Sequence, residues 1–168
     1  MRKTVKEKGA TLIELLLYLA LLSIILGVIV NLIFTSGQIK QEAETNTFVS
    51  SDAAYLTKRL SYEIRNASAL STPGTLGQTT NSLVLTVNGE THTFSINSTN
   101  LQFDKLVGAV TTLANLNSNQ VKVSNFSVQK LGNALGKSSL LVNFTLTSTK
   151  TGQTAPVTKT YNFLANLR

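Results

Sequence analysis

The stretch Leu15-Leu16-Leu17-Tyr18-Leu19-Ala20-Leu21-Leu22-Ser23-Ile24-Ile25-Leu26-Gly27-Val28-Ile29-Val30-Asn31-Leu32-Ile33-Phe34 decides how the rest of the chain must be read. Only Tyr18, Ser23, Gly27 and Asn31 interrupt its apolar character. Its length at 1.5 Å per residue is roughly 30 Å, which matches the hydrocarbon core of a bilayer. Ahead of it, residues 1–9 carry Arg2, Lys3, Lys6 and Lys8 against a single acid, Glu7, and no comparable cluster follows. The N-terminus is therefore expected on the cytoplasmic side, with the C-terminal bulk delivered outside. A cleaved secretory signal has a shorter apolar core, about 7–15 residues, and ends in a small-residue cleavage site. Thr35-Ser36-Gly37 matches such a site poorly, and a retained single-pass anchor fits the run better.

The remaining composition narrows the chemistry. A chain of 168 residues and 18.1 kDa makes one domain, or one domain with an extension, and leaves no room for a large multi-domain enzyme. With no Cys and one His there is little material for a metal site, a thiol nucleophile or a disulfide framework. The net charge is +7, of which residues 1–9 supply +3. Most of the later excess is dispersed singly, as Lys105, Lys122, Lys130, Lys137, Lys150, Lys159 and Arg168, rather than gathered into a stripe. Nucleic acid is a conceivable partner that this pattern does not indicate.

Two features do not belong to a plain anchor. Glu14 places a carboxylate inside the membrane end of the run, where ionisable groups are expensive and mark function. A snorkelling interfacial carboxylate without a role is the alternative. Lys8-Gly9 is a charged-to-small junction immediately before the apolar helix. A cut after Gly9 would create an α-amino group at Ala10, four residues from Glu14 and on the same helix face. That amine could neutralise its own Glu14 or the Glu14 of a neighbour, either of which is favoured over an unpaired charge in low dielectric.

Lys8-Gly9-Ala10-Thr11-Leu12-Ile13-Glu14-Leu15 resembles the prepilin signal of type IV pilins and of the related pseudopilins of type II secretion. The resemblance implies cleavage after Gly9 by a prepilin peptidase and methylation of the new N-terminus at Ala10. It implies that Glu14 recruits and registers each subunit as a filament grows. It also implies the partners: membrane lipid before assembly, an inner-membrane assembly platform, and other pilin subunits in a hetero-oligomeric helical filament. Ala10 stands where the family most often has Phe. The apolar helix lacks the proline that major pilins carry, so Gly27 and Asn31 are its only weak points. Arg59-Leu60-Ser61-Tyr62-Glu63-Ile64-Arg65-Asn66-Ala67, Val121-Lys122-Val123-Ser124-Asn125-Phe126 and the closing Leu167-Arg168 are similar to minor pilins and minor pseudopilins of the larger tip type. The C-terminal disulfide of many pilins has no cysteines here.

Beyond Phe34, Val49, Ala53, Leu56, Leu60, Ile64, Ala67 and Leu70 recur at spacings of three and four, one face of an amphipathic helix. Lys58, Arg59, Ser61, Glu63 and Arg65 fall largely on the other faces. The pattern predicts one helix from Ala10 to about Ala69, stopped by Pro73-Gly74, with Ser71 to Asn81 as a loop. From Ser82 the period becomes two. Leu83–Val87, the turn Asn88-Gly89 and Glu90–Ile96 read as a hairpin that sets His92 opposite Leu85. Leu101–Leu106 is a further strand, and Val121-Lys122-Val123 begins another whose parity shifts at Phe126, as at a β-bulge. Leu140, Val142, Phe144 and Leu146 alternate cleanly, as do Val157, Lys159, Tyr161 and Phe163, with the lysine as an imperfection.

The expected fold is α+β: a leader over 1–9, a transmembrane or filament-core helix over 10–34, its amphipathic continuation over 35–70, and an antiparallel β head over 71–168. The head contains no phosphate loop, no Ser-His-Asp set and no paired acids, since Glu90 and Asp104 lie on different strands. His92 reads as a packed or edge histidine. No enzyme activity, cofactor or metal is expected; the chain is the substrate of the catalysis that matures it. The expected function is that of a minor pilin. The alternatives are a minor pseudopilin of a type II secretion or competence system, ending as a periplasmic stub, and an anchored surface adhesin that never polymerises.

Overall fold

The computed structural model describes residues 11–132, 138–150 and 155–167. Gly9, Ala10 and the leader therefore lie outside the described residues. The chain divides into two compact units, one reaching to Gln41 and one from Glu42 onward. A single α-helix, α1 (Leu12–Asn66), contributes to both. In the first unit every residue from Thr11 to Lys40 is exposed.

The second unit is the head: among the described residues, the later part of α1 and nine strands in two antiparallel sheets. The strands are β1 (Ala69–Thr72), β2 (Thr79–Thr80), β3 (Ser82–Val87), β4 (Glu90–Asn97), β5 (Asn100–Val107), β6 (Val110–Asn115), β7 (Val121–Leu131), β8 (Ser139–Ser148) and β9 (Thr158–Asn166). One sheet has the order β1-β3-β4-β5-β6 and the other β2-β7-β8-β9. Asn117 lies in the connection from β6 of the first sheet to β7 of the second. Asn117 is buried, accepts the Leu101 amide at 2.8 Å and donates to the Val121 carbonyl at 2.6 Å. It thereby satisfies backbone groups at the start of β5 and of β7 that burial would otherwise penalise.

The helical stripe and the sheets close one core. Val49, Ala53, Leu56, Leu60 and Ile64 of α1 bury with Leu83, Leu85, Phe94 and Leu101 of one sheet and Val128, Leu140, Val142, Phe144 and Leu146 of the other. The β3–β4 hairpin forms as its sequence dictates: Asn88 and Gly89 take φ of 51° and 82°, the left-handed pair that a two-residue turn requires. The bulge in β7 is also present. Asn125 and Phe126 lie between Ser124, paired with Thr145, and Ser127, paired with Asn143, so two residues oppose Phe144 alone. The extra residue returns Phe126 and Val128 to the inner face that Val121 and Val123 occupy.

Three expectations need correcting. α1 ends at Asn66 rather than near Ala69, because the Ser68 amide and hydroxyl both donate to the Thr86 carbonyl, at 2.8 and 3.1 Å, and draw the chain into β1. The segment 71–81 is not all loop: it holds the end of β1 and the short β2, which pairs with β7. Glu63, placed on an outer face by the helical pattern, is buried. The structure also adds β6, whose six residues are all exposed and therefore lack the apolar alternation that marks a strand.

Candidate functional site

The first candidate is the apolar part of α1. Glu14 is the only acidic or basic residue between Thr11 and Ile39. It occupies the first turn of the helix, where its charge complements the amide end of the helix dipole. The Thr11 carbonyl accepts the Glu14 and Leu15 amides at 3.0 and 3.2 Å, which anchors that turn. One turn on, the Tyr18 hydroxyl donates to Glu14 Oε1 at 3.0 Å. The spacing of four that permits this contact was visible in the sequence, but Tyr18 read there only as an interruption of the run.

Among the described residues the apolar surface around Glu14 is exposed. Leu12, Ile13, Tyr18, Ile24, Leu32 and Phe34 are each more than half exposed, and the apolar part of α1 is long enough to cross a membrane. A helix that is apolar on all faces is stable only in lipid or between other apolar helices. The arrangement can therefore do two things: partition into a bilayer, and present one carboxylate at a defined depth within it.

The second candidate is a charged cluster in the head that sequence reasoning did not assemble. His92 on β4 places Nδ1 2.8 Å from Glu63 Oε2 of α1, and its Nε2 lies 3.4 Å from Glu90 Oε2. Arg59 pairs with the other Glu63 oxygen at 2.8 Å and lies over the Phe103 ring at 5.0 Å. Lys105 reaches Glu90 at 2.6 Å. That Lys105 ammonium, with smaller help from His92, holds the Glu90 carboxyl below its ordinary value against the opposing effect of burial. Glu63 follows Leu56 by seven residues and Leu60 by three, so the heptad spacing was the signal that could have placed it inward.

Chain-to-chain comparison with family models, curated proteins and solved structures found no match. The reading of both sites therefore rests on their own chemistry.

His92 pairs with Leu85 across the hairpin, as the turn required, and packs edge-on against Phe103 at 5.1 Å. Both imidazole nitrogens face carboxylates, and the cluster joins α1 to the sheet. Glu90 and Asp104 are not brought together: Asp104 sits opposite Thr93 and Leu113 in the ladders, and Glu90 is held by Lys105. Among the described residues no group of three or more His, Cys, Asp or Glu is placed to hold a metal ion. An open groove of about 810 Å³ lies beside Lys58, Tyr62 and Arg65 of α1 and Leu164 and Asn166 of β9.

Proposed function

We propose that this chain is a minor pilin: a membrane-inserted subunit, cut after Gly9 and methylated at Ala10, that enters a helical filament through the apolar part of α1. The observation that carries this reading is the uncovered apolar helix with Glu14 as its only charge, attached to a head whose own core is closed. Before assembly, lipid solvates Leu15–Phe34. During assembly, apolar helices of neighbouring subunits replace the lipid. In that setting an unpaired Glu14 is costly, and the amine created at Ala10 of a neighbour is the cation that relieves it. The pairing sets the register of one subunit on the next, and the head remains outside on the filament surface.

The test is the intact mass and N-terminal peptide of the protein recovered from membranes of its native host, followed by incorporation of Glu14→Ala into sheared filaments. A chain beginning at Ala10 and bearing one added methyl group supports the reading. Glu14→Ala is expected to be cleaved normally and to be missing from filaments. A chain still beginning at Met1 in a host with an active prepilin peptidase overturns the reading in favour of a simple anchored surface protein. Extended surface fibres, as against a short periplasmic stub, separate the pilus from the pseudopilus.

A further inference from the structure

The polar side chains along the apolar part of α1 do not all behave alike. Ser23 returns its hydroxyl to the Leu19 carbonyl at 2.8 Å, and Thr35 does the same to the Asn31 carbonyl at 2.9 Å. These bonds hide a hydroxyl on the helix's own backbone, the ordinary solution for Ser and Thr in an apolar setting. Tyr18 instead directs its hydroxyl to a side chain, Glu14 Oε1, at 3.0 Å. A phenol cannot reach the backbone one turn back as Ser does, but at a spacing of four it meets the carboxylate on the same face.

We propose that Tyr18 is the positioning residue of Glu14, an inference that rests on the filament reading above. A hydroxyl donating to a carboxylate makes a short, charge-assisted bond, roughly twice as strong as a neutral one. Inside a bilayer no water competes for either group, so the bond holds Glu14 in one rotamer. The bond engages Oε1, and a carboxylate has acceptor sites on both oxygens. Oε2 is left turned to the surroundings in a fixed direction, available to a cation of a neighbouring subunit. Without the phenol, the glutamate must be ordered at the moment of docking, and the loss of rotamer freedom opposes docking.

The experiment compares Tyr18→Phe, Ser23→Ala and Glu14→Ala, each produced as the whole chain in the native host. For each variant the readouts are the fraction cleaved, the amount in the membrane and the fraction in sheared filaments. Tyr18→Phe removes one oxygen and keeps the ring, so a role in packing alone leaves it at wild-type level. It is expected to be cleaved and inserted normally while its filament fraction falls on the order of tenfold. Ser23→Ala is expected to match the wild type in all three. If Tyr18→Phe enters filaments normally while Glu14→Ala does not, the positioning role is wrong and the filament reading stands. Loss of Tyr18→Phe already at cleavage, or an equal fall for Ser23→Ala, also overturns it. Normal incorporation of Glu14→Ala overturns the filament reading itself and this inference with it.

Discussion

His92 Nδ1 lies 2.8 Å from Glu63 Oε2, joining the last turns of the helix to the central strand of the five-stranded sheet. Both side chains are almost wholly buried, so the contact sits inside the core and not on a solvated face. Removing one partner leaves the other without its hydrogen bond where water cannot replace it. Glu63→Ala also strips Arg59 of its carboxylate. We expect Glu63→Ala to destabilise the head by about 3 kcal/mol and Glu63→Gln, which keeps an acceptor and the volume, by clearly less. Urea unfolding of the whole chain in detergent micelles measures both. A loss under about 0.5 kcal/mol for Glu63→Ala, the range of ordinary surface changes, would show that the cluster does not hold the helix.

The Glu90–Lys105 contact predicts a pH dependence. The folded state lowers the Glu90 carboxyl from its ordinary value of 4.5, so its contribution is complete above that value and is lost as pH falls through the lower folded value. Thermal unfolding between neutral and acid pH should show this loss, and Glu90→Gln should flatten the profile in that window. The effect is small and weakens with salt, because Lys105 is more than a third exposed. A Glu90→Gln profile parallel to the wild type down to the most acid point contradicts the assignment.

Gly89 tests the hairpin. It adopts φ of 82°, and a Cβ built there meets no atom within 4 Å, so any effect of Gly89→Ala is backbone strain and not a clash. The expected loss is about 1–2 kcal/mol, read from the shift in melting temperature. An unchanged melting temperature would mean that the turn adapts to another type.

Core and edge should respond in opposite ways. Phe144 of β8 is fully buried opposite the bulge in β7 and stacks on Tyr161 at 5.7 Å, so Phe144→Ala is expected to remove about 3–5 kcal/mol. Leu113 on the edge strand β6 is 60% exposed, and Leu113→Ala should stay within about 0.5 kcal/mol. Denaturant midpoints of the two variants make the comparison; similar losses would place β6 in a buried interface.

The processing proposed above has its own check, although Gly9 lies outside the described residues. If the chain is cut after Gly9 as proposed, Gly9→Val is expected to leave it at its unprocessed mass in host membranes, because a branched side chain would block that cut. A correctly shortened Gly9→Val product shows that the junction is not read through this glycine.

The order of elements was legible along the chain, because each depends on neighbours in sequence. The apolar run from Leu15 to Phe34, the stripe from Val49 to Ile64, the Asn88-Gly89 turn and the parity shift at Phe126 are local patterns set by residue size, polarity and backbone freedom. Glu14 stood out as a candidate too, since a lone carboxylate in an apolar run is visible without any structure.

What only the tertiary structure decided were relations between residues far apart in sequence. Glu63 reads as solvated by its charge; its i,i+4 partner Arg59 is local, but the contact with His92, 29 residues on, that completes the compensation of its burial is not announced by anything nearby. The helix stops at Asn66, where Ser68 finds the Thr86 carbonyl, and Asn117 links the two sheets by bonding Leu101 of one and Val121 of the other. Strand β6 carries no buried face and exists only because β5 offers it a ladder of hydrogen bonds. Local pattern specifies which segments are helical or extended; the cost of burying charge and unpaired backbone groups is settled only when distant partners meet.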